Sequence, residues 1–154
     1  MKRNELVYSI MEKVKEMSTQ TILFHQVVAS ILGLHITDHK SLDIINRFGA
    51  MPAGRLGELT GLTTGAVTGI IDRLEKTGYV KRTDDPKDRR LTIIQPARNK
   101  KLDEKIDRIF IPLHNRMLKL LSLYSVSELI FLHDTLLKFL KFIQEESEKL
   151  RQEN

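Results

Sequence analysis

The sequence predicts a mainly α, α+β fold, in which helices surround one small β-hairpin. The first observation is that apolar residues recur at helical spacing, i, i+3, i+4 and i+7, along most of the chain. The second is a pair of short segments, rich in β-branched and aromatic residues, on either side of a polar run, which is typical of a hairpin. The third is composition: 154 residues, 41% hydrophobic and 29% charged, are typical of one globular domain.

Two helices are predicted at the start of the chain. Residues 5–31 carry apolar side chains at helical spacing, and Gly33 follows as a stop signal. A second helix should begin at Thr37 or Asp38, since either side chain is a suitable N-cap, and end at Gly49. Its predicted buried stripe consists of Leu42, Ile45 and Phe48.

Two short helices joined by a glycine turn are predicted next, in the segment PAGRLGELTGLTTGAVTGIIDRL. The first runs from Pro52 to Leu59, because proline suits the first turn of a helix. Gly61 supplies the turn, and the second helix spans residues 63–77, crossing the first closely at Gly57. Such a pair is a helix-turn-helix. The residues that should hold the two helices together are Leu56, Leu59, Leu62, Val67 and Ile70.

The outer face of the second helix carries almost no side-chain bulk. The residues that lie opposite its apolar stripe, when residues are placed about 100° apart, are Gly65, Thr68, Gly69, Asp72 and Lys76. Such a face lets a helix enter a DNA major groove, which is roughly 12 Å wide. Thr63 and Thr64 stand at the N-terminal end, where hydroxyls and backbone N–H groups can hold a phosphate. The alternative is that this small-residue face packs closely against another helix.

Positive charge is concentrated between residues 73 and 101. This segment holds ten Lys or Arg and four Asp or Glu residues, a net charge of +6, so the rest of the chain sums to −1 of the total +5. The predicted hairpin, YVKRT and LTIIQ with the tip DDPKDRR between them, lies inside it. A local excess of this kind is typical of a surface that meets a polyanion, although an exposed basic loop gives the same pattern.

A basic hairpin beside a helix-turn-helix is a wing. Arg82 lies on its first strand, and Arg89 and Arg90 lie at or near its tip, where an arginine can enter the minor groove. Asp88 either orients Arg90 by a charge-assisted hydrogen bond or is an ordinary turn residue. The predicted DNA-binding residues are Arg55, Thr63, Thr64, Gly65, Thr68, Gly69, Arg73, Lys76, Arg82, Asp88, Arg89 and Arg90.

The segment from Pro52 to Ile94 resembles the winged helix-turn-helix of the MarR (multiple antibiotic resistance regulator) family. The most specific part is DRLEKTGYVKRTDDPKDRR, with its helix end, Gly-aromatic-Val and Asp-Pro-x-Asp-Arg-Arg wing. In that family the Asp-x-Arg of the wing directs an arginine into the minor groove, which implies this role for Asp88 and Arg90. The order of elements resembles the family over nearly the whole chain. QPARNK departs from the Leu-Thr and nearby glycine that usually precede the next helix.

The chain is predicted to be helical again after Pro96. Pro112 should bend or break the first of these helices, and Ser127 should cap the second. The terminal helices carry apolar stripes that need a partner, and their periodicity leaves open whether that partner is the same chain or a second copy. The family resemblance implies a homodimer. The predicted dimerisation residues are Leu6, Ile10, Val14, Leu129, Leu132, Leu136 and Leu140.

We therefore predict a helical dimerisation region, residues 1–33 and 97–154, and a winged helix-turn-helix DNA-binding domain, residues 34–96. The predicted function is a sequence-specific DNA-binding transcriptional regulator, a ligand-responsive repressor that binds a palindromic promoter operator on double-stranded DNA as a homodimer. The resemblance alone implies the small-molecule effector. The alternative is a winged-helix adaptor that binds other proteins and not DNA.

Other chemistries find little support in the sequence. The absence of cysteine excludes disulfides, thiol switches and cysteine-ligated zinc. His35 and His39 are four residues apart, with His25 upstream, but no metal or other cofactor is predicted from them. No phosphate loop, nucleophile elbow or paired-carboxylate motif occurs, so no enzyme is predicted. Without a signal sequence or an apolar run of about 20 residues, we expect a cytoplasmic protein with no membrane partner.

Overall fold

The computed structural model describes residues 2–85 and 92–153. Within these residues the chain forms six helices and one three-stranded sheet, which confirms the predicted fold class. In chain order the elements are α1 (Arg3–Leu32), α2 (Ile36–Phe48), β1 (Met51–Pro52), α3 (Ala53–Thr60), α4 (Thr64–Lys76), β2 (Val80–Asp84), β3 (Thr92–Pro96), α5 (Lys100–Leu121) and α6 (Val126–Gln152).

The sheet is antiparallel, with strand order β1-β3-β2. β2 pairs with β3 as the predicted hairpin, each strand beginning one residue later than expected, and Arg82 lies opposite Ile94. β1 pairs with the other side of β3, with Met51 also opposite Ile94. β1 is not predictable from the sequence, because two residues are too few to show the alternation of a strand.

The hydrophobic core of the sheet-containing part lies among α2, α3, α4 and β3. α4 contributes four buried residues at positions i, i+3, i+4 and i+7, which confirms the apolar stripe predicted for this helix. The end of α1 adds Val28, Ala29 and Leu32. The fully buried large apolar side chains of this core include Ile45, Leu56, Ile71, Leu74 and Ile94.

α2 differs from its prediction at both ends. Its N-cap residue is His35, so the predicted caps Thr37 and Asp38 are wrong. Asp38 cannot act as a cap because its carboxylate is buried and bonded to another helix. Phe48 is 56% exposed, so its predicted burial is also wrong. It is the last helical residue, and the Arg47 guanidinium lies 5.5 Å from its ring centre.

The two C-terminal helices each differ from prediction at one point. α5 continues through Pro112 to Leu121, so Pro112 does not break the helix, and the alternative, a bend at Pro112, stays a prediction. α6 begins after Ser125, whose hydroxyl accepts a hydrogen bond from the Glu128 N–H at 3.3 Å. The Glu128 carboxylate accepts one in return from the Ser125 N–H at 2.8 Å. This capping box needs an acid three residues after the cap, which is why the cap is not Ser127.

The chain divides into two compact units, Met1–Ile109 and Phe110–Asn154. The first contains α1 to α4 and the sheet, and the second contains α6. The boundaries of the DNA-binding and dimerisation regions at residues 33 and 96 stay a prediction. No single helix in the described ranges has both the length and the apolar composition of a membrane span; by these measures alone, α1 and α2 pass only together, with a 90° bend between them.

Candidate nucleic-acid interface

α3 and α4 form the predicted helix-turn-helix. Gly61 ends α3 with φ at 71°, a left-handed conformation that glycine adopts without steric cost, and its N–H donates a 2.7 Å hydrogen bond to the Gly57 carbonyl. A Cβ at Gly57 would lie 3.4 Å from the backbone oxygen of Leu62 and 3.6 Å from Cγ2 of Val67. The close crossing predicted at Gly57 is therefore confirmed.

The outer face of α4 is open near the helix N-terminus. Thr64, Gly65 and Thr68 are exposed, and a Cβ at Gly65 would meet no atom of residues 2–85 and 92–153 within 4 Å. At Gly69 the nearest atom to such a Cβ is Nη1 of Arg73, at 3.4 Å. The alternative in which this face packs against another helix of the same chain therefore finds no support at Gly65.

The threonine hydroxyls of α4 are arranged for different partners. Thr63 is the N-cap, and its Oγ1 accepts a hydrogen bond from the Ala66 N–H at 3.3 Å, which leaves its own proton free to donate. The Thr68 hydroxyl donates to the Thr64 carbonyl at 2.9 Å, which leaves its oxygen free to accept. A phosphate suits Thr63, whereas an amino group on a base edge suits Thr68.

Arg73, predicted to bind DNA, is hydrogen-bonded within the protein. Its Nε and Nη2 donate to the two carboxylate oxygens of Asp38, at 2.8 and 2.7 Å. Asp38 is only 1% exposed, whereas the Arg73 side chain is 48% exposed. This two-pronged pair joins α4 to α2, an attachment that the sequence analysis did not foresee.

Arg82, also predicted to bind DNA, joins β2 to α4. Its guanidinium donates to the carboxylates of Asp72 and Glu75, both on α4. Its backbone N–H donates a further hydrogen bond, of 2.9 Å, to the Glu75 carboxylate. These bonds, the backbone one foremost, hold the pKa of Glu75 below its ordinary value of 4.5.

The remaining predicted contact residues divide into two groups. Arg55 and Lys76 are exposed on α3 and α4, and Arg55 forms a 2.7 Å ion pair with Glu58, one turn along its own helix. Both side chains are open to solvent. The other three lie outside the described residues, and their predicted role in the wing stays a prediction: Asp88, Arg89 and Arg90.

His39 contacts His25 on α1, and not His35, its neighbour four residues away in the sequence. His35 is exposed at the start of α2, whereas Nε2 of the buried His39 lies 3.1 Å from Nδ1 of His25, on α1. Burial is the main cause that lowers the pKa of both His25 and His39. Across residues 2–85 and 92–153 no group of three or more metal-binding side chains is arranged to hold an ion.

The predicted dimerisation residues leave much apolar surface uncovered in a single chain. On α1, Leu6 and Ile10 are 46% and 45% exposed, and on α6, Leu136 and Leu140 are 43% and 60% exposed. Apolar surface left in water forgoes about 25 cal/mol per Å² of stabilisation, so each stripe favours a partner surface. The less exposed members of the set are Val14, Leu129 and Leu132.

Comparison with known proteins gives close relatives in sequence. Residues 34–92 match the MarR family. YcgE of Bacillus subtilis (strain 168), described as an uncharacterized HTH-type transcriptional regulator, is 43% identical over 150 residues. The alignment covers 97% of this chain and 96% of YcgE.

Solved structures agree with the fold. FabT of Streptococcus pneumoniae, in complex with DNA, gives a TM-score of 0.71 at 20% identity, over 90% of this chain and 98% of that chain. A cysteine-to-serine mutant of MarR from E. coli, complexed with operator DNA, gives 0.60 at 19% identity, over 91% and 99%. These two likenesses show the fold, and the family follows from the domain match and the identity with YcgE. This chain belongs to the MarR family, and it is a DNA-binding transcriptional regulator and not an enzyme.

Proposed function

We propose that the chain is a repressor that binds a palindromic promoter operator as a homodimer, with α4 in the major groove. The open face of α4 carries this proposal. Gly65 has no side chain, and within the described part of the chain no atom lies within 4 Å of the position that its Cβ would take. The helix backbone can therefore come closer to the base edges there than a helix with bulky residues on this face could.

The contacts of this helix would divide between phosphates and bases. The Thr63 hydroxyl proton and the first N–H groups of α4 suit a phosphate at the positive end of the helix. The Thr68 oxygen suits the amino group of adenine or cytosine in the major groove. Arg55 and Lys76, both exposed, would hold the DNA backbone on either side and fix the orientation of the protein.

The homodimer is proposed from the apolar stripes of α1 and α6. Leu6, Ile10, Leu136 and Leu140 are all more than 40% exposed in the single chain, and a second copy would cover them. Under this proposal residues 1–33 and 97–154 form the dimer and residues 34–96 bind DNA. A two-fold dimer places two α4 helices about 34 Å apart, one turn of DNA, which is the spacing of a palindromic site.

The effector is proposed for a cleft within the first unit. α2, β3 and the start of α5 line it, with Leu42 and Leu102 on its apolar side and Asn46 and Arg98 among its polar residues. Arg98 has φ at 47°, a rare conformation for a residue other than glycine. The lining carries charges of both signs, on Arg98 and Asp103, so the proposed ligand is a small polar molecule, and its binding beside α5 would change the spacing of the two α4 helices. Calorimetry with a panel of small polar molecules tests this step.

A salt titration separates DNA binding from the adaptor alternative. For a chain that binds duplex DNA through phosphates, the logarithm of affinity for a random-sequence duplex falls steeply with the logarithm of salt concentration. An adaptor that binds proteins gives no such slope. Sedimentation of the free chain and of its complex then counts the copies, and we expect two copies on one duplex. Because the partner is chromosomal DNA, we expect the protein in the cytoplasm.

A further inference from the structure

Arg82 lies where the wing meets α4, the helix that we propose enters the major groove and call the recognition helix. Its hydrogen bonds to Asp72 and Glu75 point to a role other than the predicted DNA contact. We propose that Arg82 is a positioning residue, which fixes the direction of the wing relative to α4 and does not itself bind DNA. This inference rests on the proposed DNA-binding function. It assigns the specificity of the site to the angle between two elements as well as to the residues that touch the bases.

The geometry ties one strand to one helix at three points. The Arg82 guanidinium is divided between Asp72 and Glu75, which lie three residues apart on α4, and its backbone N–H binds Glu75 as well. The side chain is 30% exposed, against 56% for Arg55, which makes one ion pair within α3. The guanidinium of Arg82 is therefore less accessible to a phosphate than that of Arg55, which we propose binds the DNA backbone.

Charge favours keeping Arg82 in this place. If the Arg82 guanidinium moved to a DNA phosphate, it would lose two carboxylate partners and gain a single phosphate partner. It would also leave Asp72, 60% exposed on α4, without its cation on the helix that approaches DNA. Unneutralised carboxylates beside phosphates repel. In its present position Arg82 neutralises part of that charge and lets α4 come close.

The wing is held to the domain by this same part of the hairpin. Arg82 lies opposite Ile94 on the neighbouring strand, so their side chains share one face of the sheet. Ile94 is fully buried, and Arg82 continues the attachment toward α4 through its ion pairs. When those pairs are lost, the hairpin can change its angle to α4. A smaller fraction of the DNA complexes then has both the hairpin and α4 in their base-contacting positions, while the number of phosphate contacts stays the same. Sequence specificity therefore falls, and sequence-independent affinity does not.

The test compares affinity for two probes, a duplex enriched from a random library by the wild-type chain and a random-sequence duplex. Their ratio removes the sequence-independent electrostatic part of binding. The variants are Arg82→Lys, which keeps the charge but not the two-pronged geometry, and Glu75→Gln, which removes one partner. Lys81→Gln is the matched control, because Lys81 is the exposed neighbour on the same strand. Thermal unfolding confirms that each variant is folded at the assay temperature.

A positioning role predicts that Arg82→Lys and Glu75→Gln each lower the affinity ratio roughly tenfold, about the effect of one mismatched base pair. The salt slope of both variants should stay as in the wild type. Lys81→Gln should change affinity for both duplexes alike. If Arg82→Lys does not fold, Glu75→Gln and Asp72→Asn keep the arginine and carry the same expectation.

Two results overturn the inference. A direct phosphate contact predicts that Arg82→Lys keeps the wild-type ratio, and that Glu75→Gln tightens binding to both duplexes by releasing the arginine. A purely structural role predicts lower unfolding temperatures with an unchanged ratio for the folded protein. Failure of the proposed function is distinguishable, because the wild-type chain itself would then enrich no duplex, and the inference would fall with it.

Discussion

The guanidinium of Arg73 on α4 holds the carboxylate of Asp38 on α2 through two hydrogen bonds, of 2.8 and 2.7 Å. The carboxylate is buried, whereas about half of the arginine side chain is exposed. The two partners are 35 residues apart, so the pair fixes α4 to an element far away in sequence.

This difference in burial predicts unequal costs for removing the two partners. Arg73→Ala leaves a buried carboxylate without its cation and should lower the free energy of unfolding by about 3 kcal/mol. Asp38→Ala leaves an arginine that water can reach and should cost less, about 1.5 kcal/mol. Urea unfolding measures both. Arg55→Ala, which breaks an exposed pair with Glu58, is the control and should change stability by less than about 0.5 kcal/mol. Equal costs for the two Asp38–Arg73 variants would contradict this account of the pair.

Replacing Gly65 with alanine should raise the stability of the fold and weaken DNA binding. Gly65→Ala adds a methyl group where no atom of the residues that the structure describes lies within 4 Å, and alanine is the better helix former, so the fold should gain up to about 1 kcal/mol. The same methyl group stands between α4 and the base edges, and affinity for an enriched duplex should fall roughly tenfold. Gly57→Ala is the contrast, because its methyl group would lie 3.4 Å from a backbone oxygen and should destabilise the fold. Unchanged duplex affinity in a stabilised Gly65→Ala would place the DNA elsewhere.

Stability should fall in mild acid because of the histidine pair between α1 and α2. Burial, the largest cause, lowers the pKa of His25 and His39 below the ordinary 6.5. For His39 the charge of a protonated His25 lowers the pKa further, and the Lys40 ammonium lowers both pKa values, against the opposing effect of Asp43. Below pH 6.5 the unfolded chain therefore binds protons that the folded chain does not. The free energy of unfolding is then highest above pH 6.5 and falls as the pH is lowered toward the folded pKa values.

Denaturant unfolding between pH 7.5 and 5 measures this effect. The expected result is a decline that becomes shallower in His39→Gln, because the buried imidazole is then absent. His133→Gln, at an exposed position on α6, should keep the wild-type decline. A decline that is identical in His39→Gln and the wild type would show that other groups cause it.

The dimer should separate when charge is placed in the α6 stripe. Leu136→Glu puts a carboxylate where we expect an apolar contact between copies, and sedimentation should then show monomers. Lys138→Glu, an exposed change of charge on the same helix, should leave the dimer intact. The affinity of Leu136→Glu for an enriched palindromic duplex should fall by at least about a hundredfold, since one winged domain alone would contact one half-site. A dimeric Leu136→Glu would remove this stripe from the proposed interface.

The sequence carried the parts of the structure that depend on local patterns. The stripe from Val67 to Leu74 predicted α4 and its buried face, and Gly61 predicted the turn, because spacing and left-handed backbone are written into neighbouring residues. The outer face was predictable for the same reason: Gly65 has no side chain wherever the helix lies. The Gly57 crossing also followed from residue size alone.

What the sequence did not show depends on residues far apart in the chain. The carboxylate partners of Arg73 and Arg82 were not foreseen, because a basic residue on or near α4 has the same local pattern whether it faces a phosphate or a carboxylate. Their partners, Asp38 at a distance of 35 residues and Asp72 at a distance of ten, are visible only in the folded chain. The His25–His39 pair was missed in the same way, since spacing along α2 favoured His35 as the neighbour of His39.

The most direct test of the central claim is methylation interference on a duplex enriched by the wild-type chain. If the open face of α4 lies in the major groove, methyl groups on guanine N7 should block binding in two patches about one helical turn apart. The Gly65→Leu variant should keep the fold but should not enrich any duplex from the same random library. A wild-type chain that binds with equal affinity whether or not the major groove is methylated would contradict the claim.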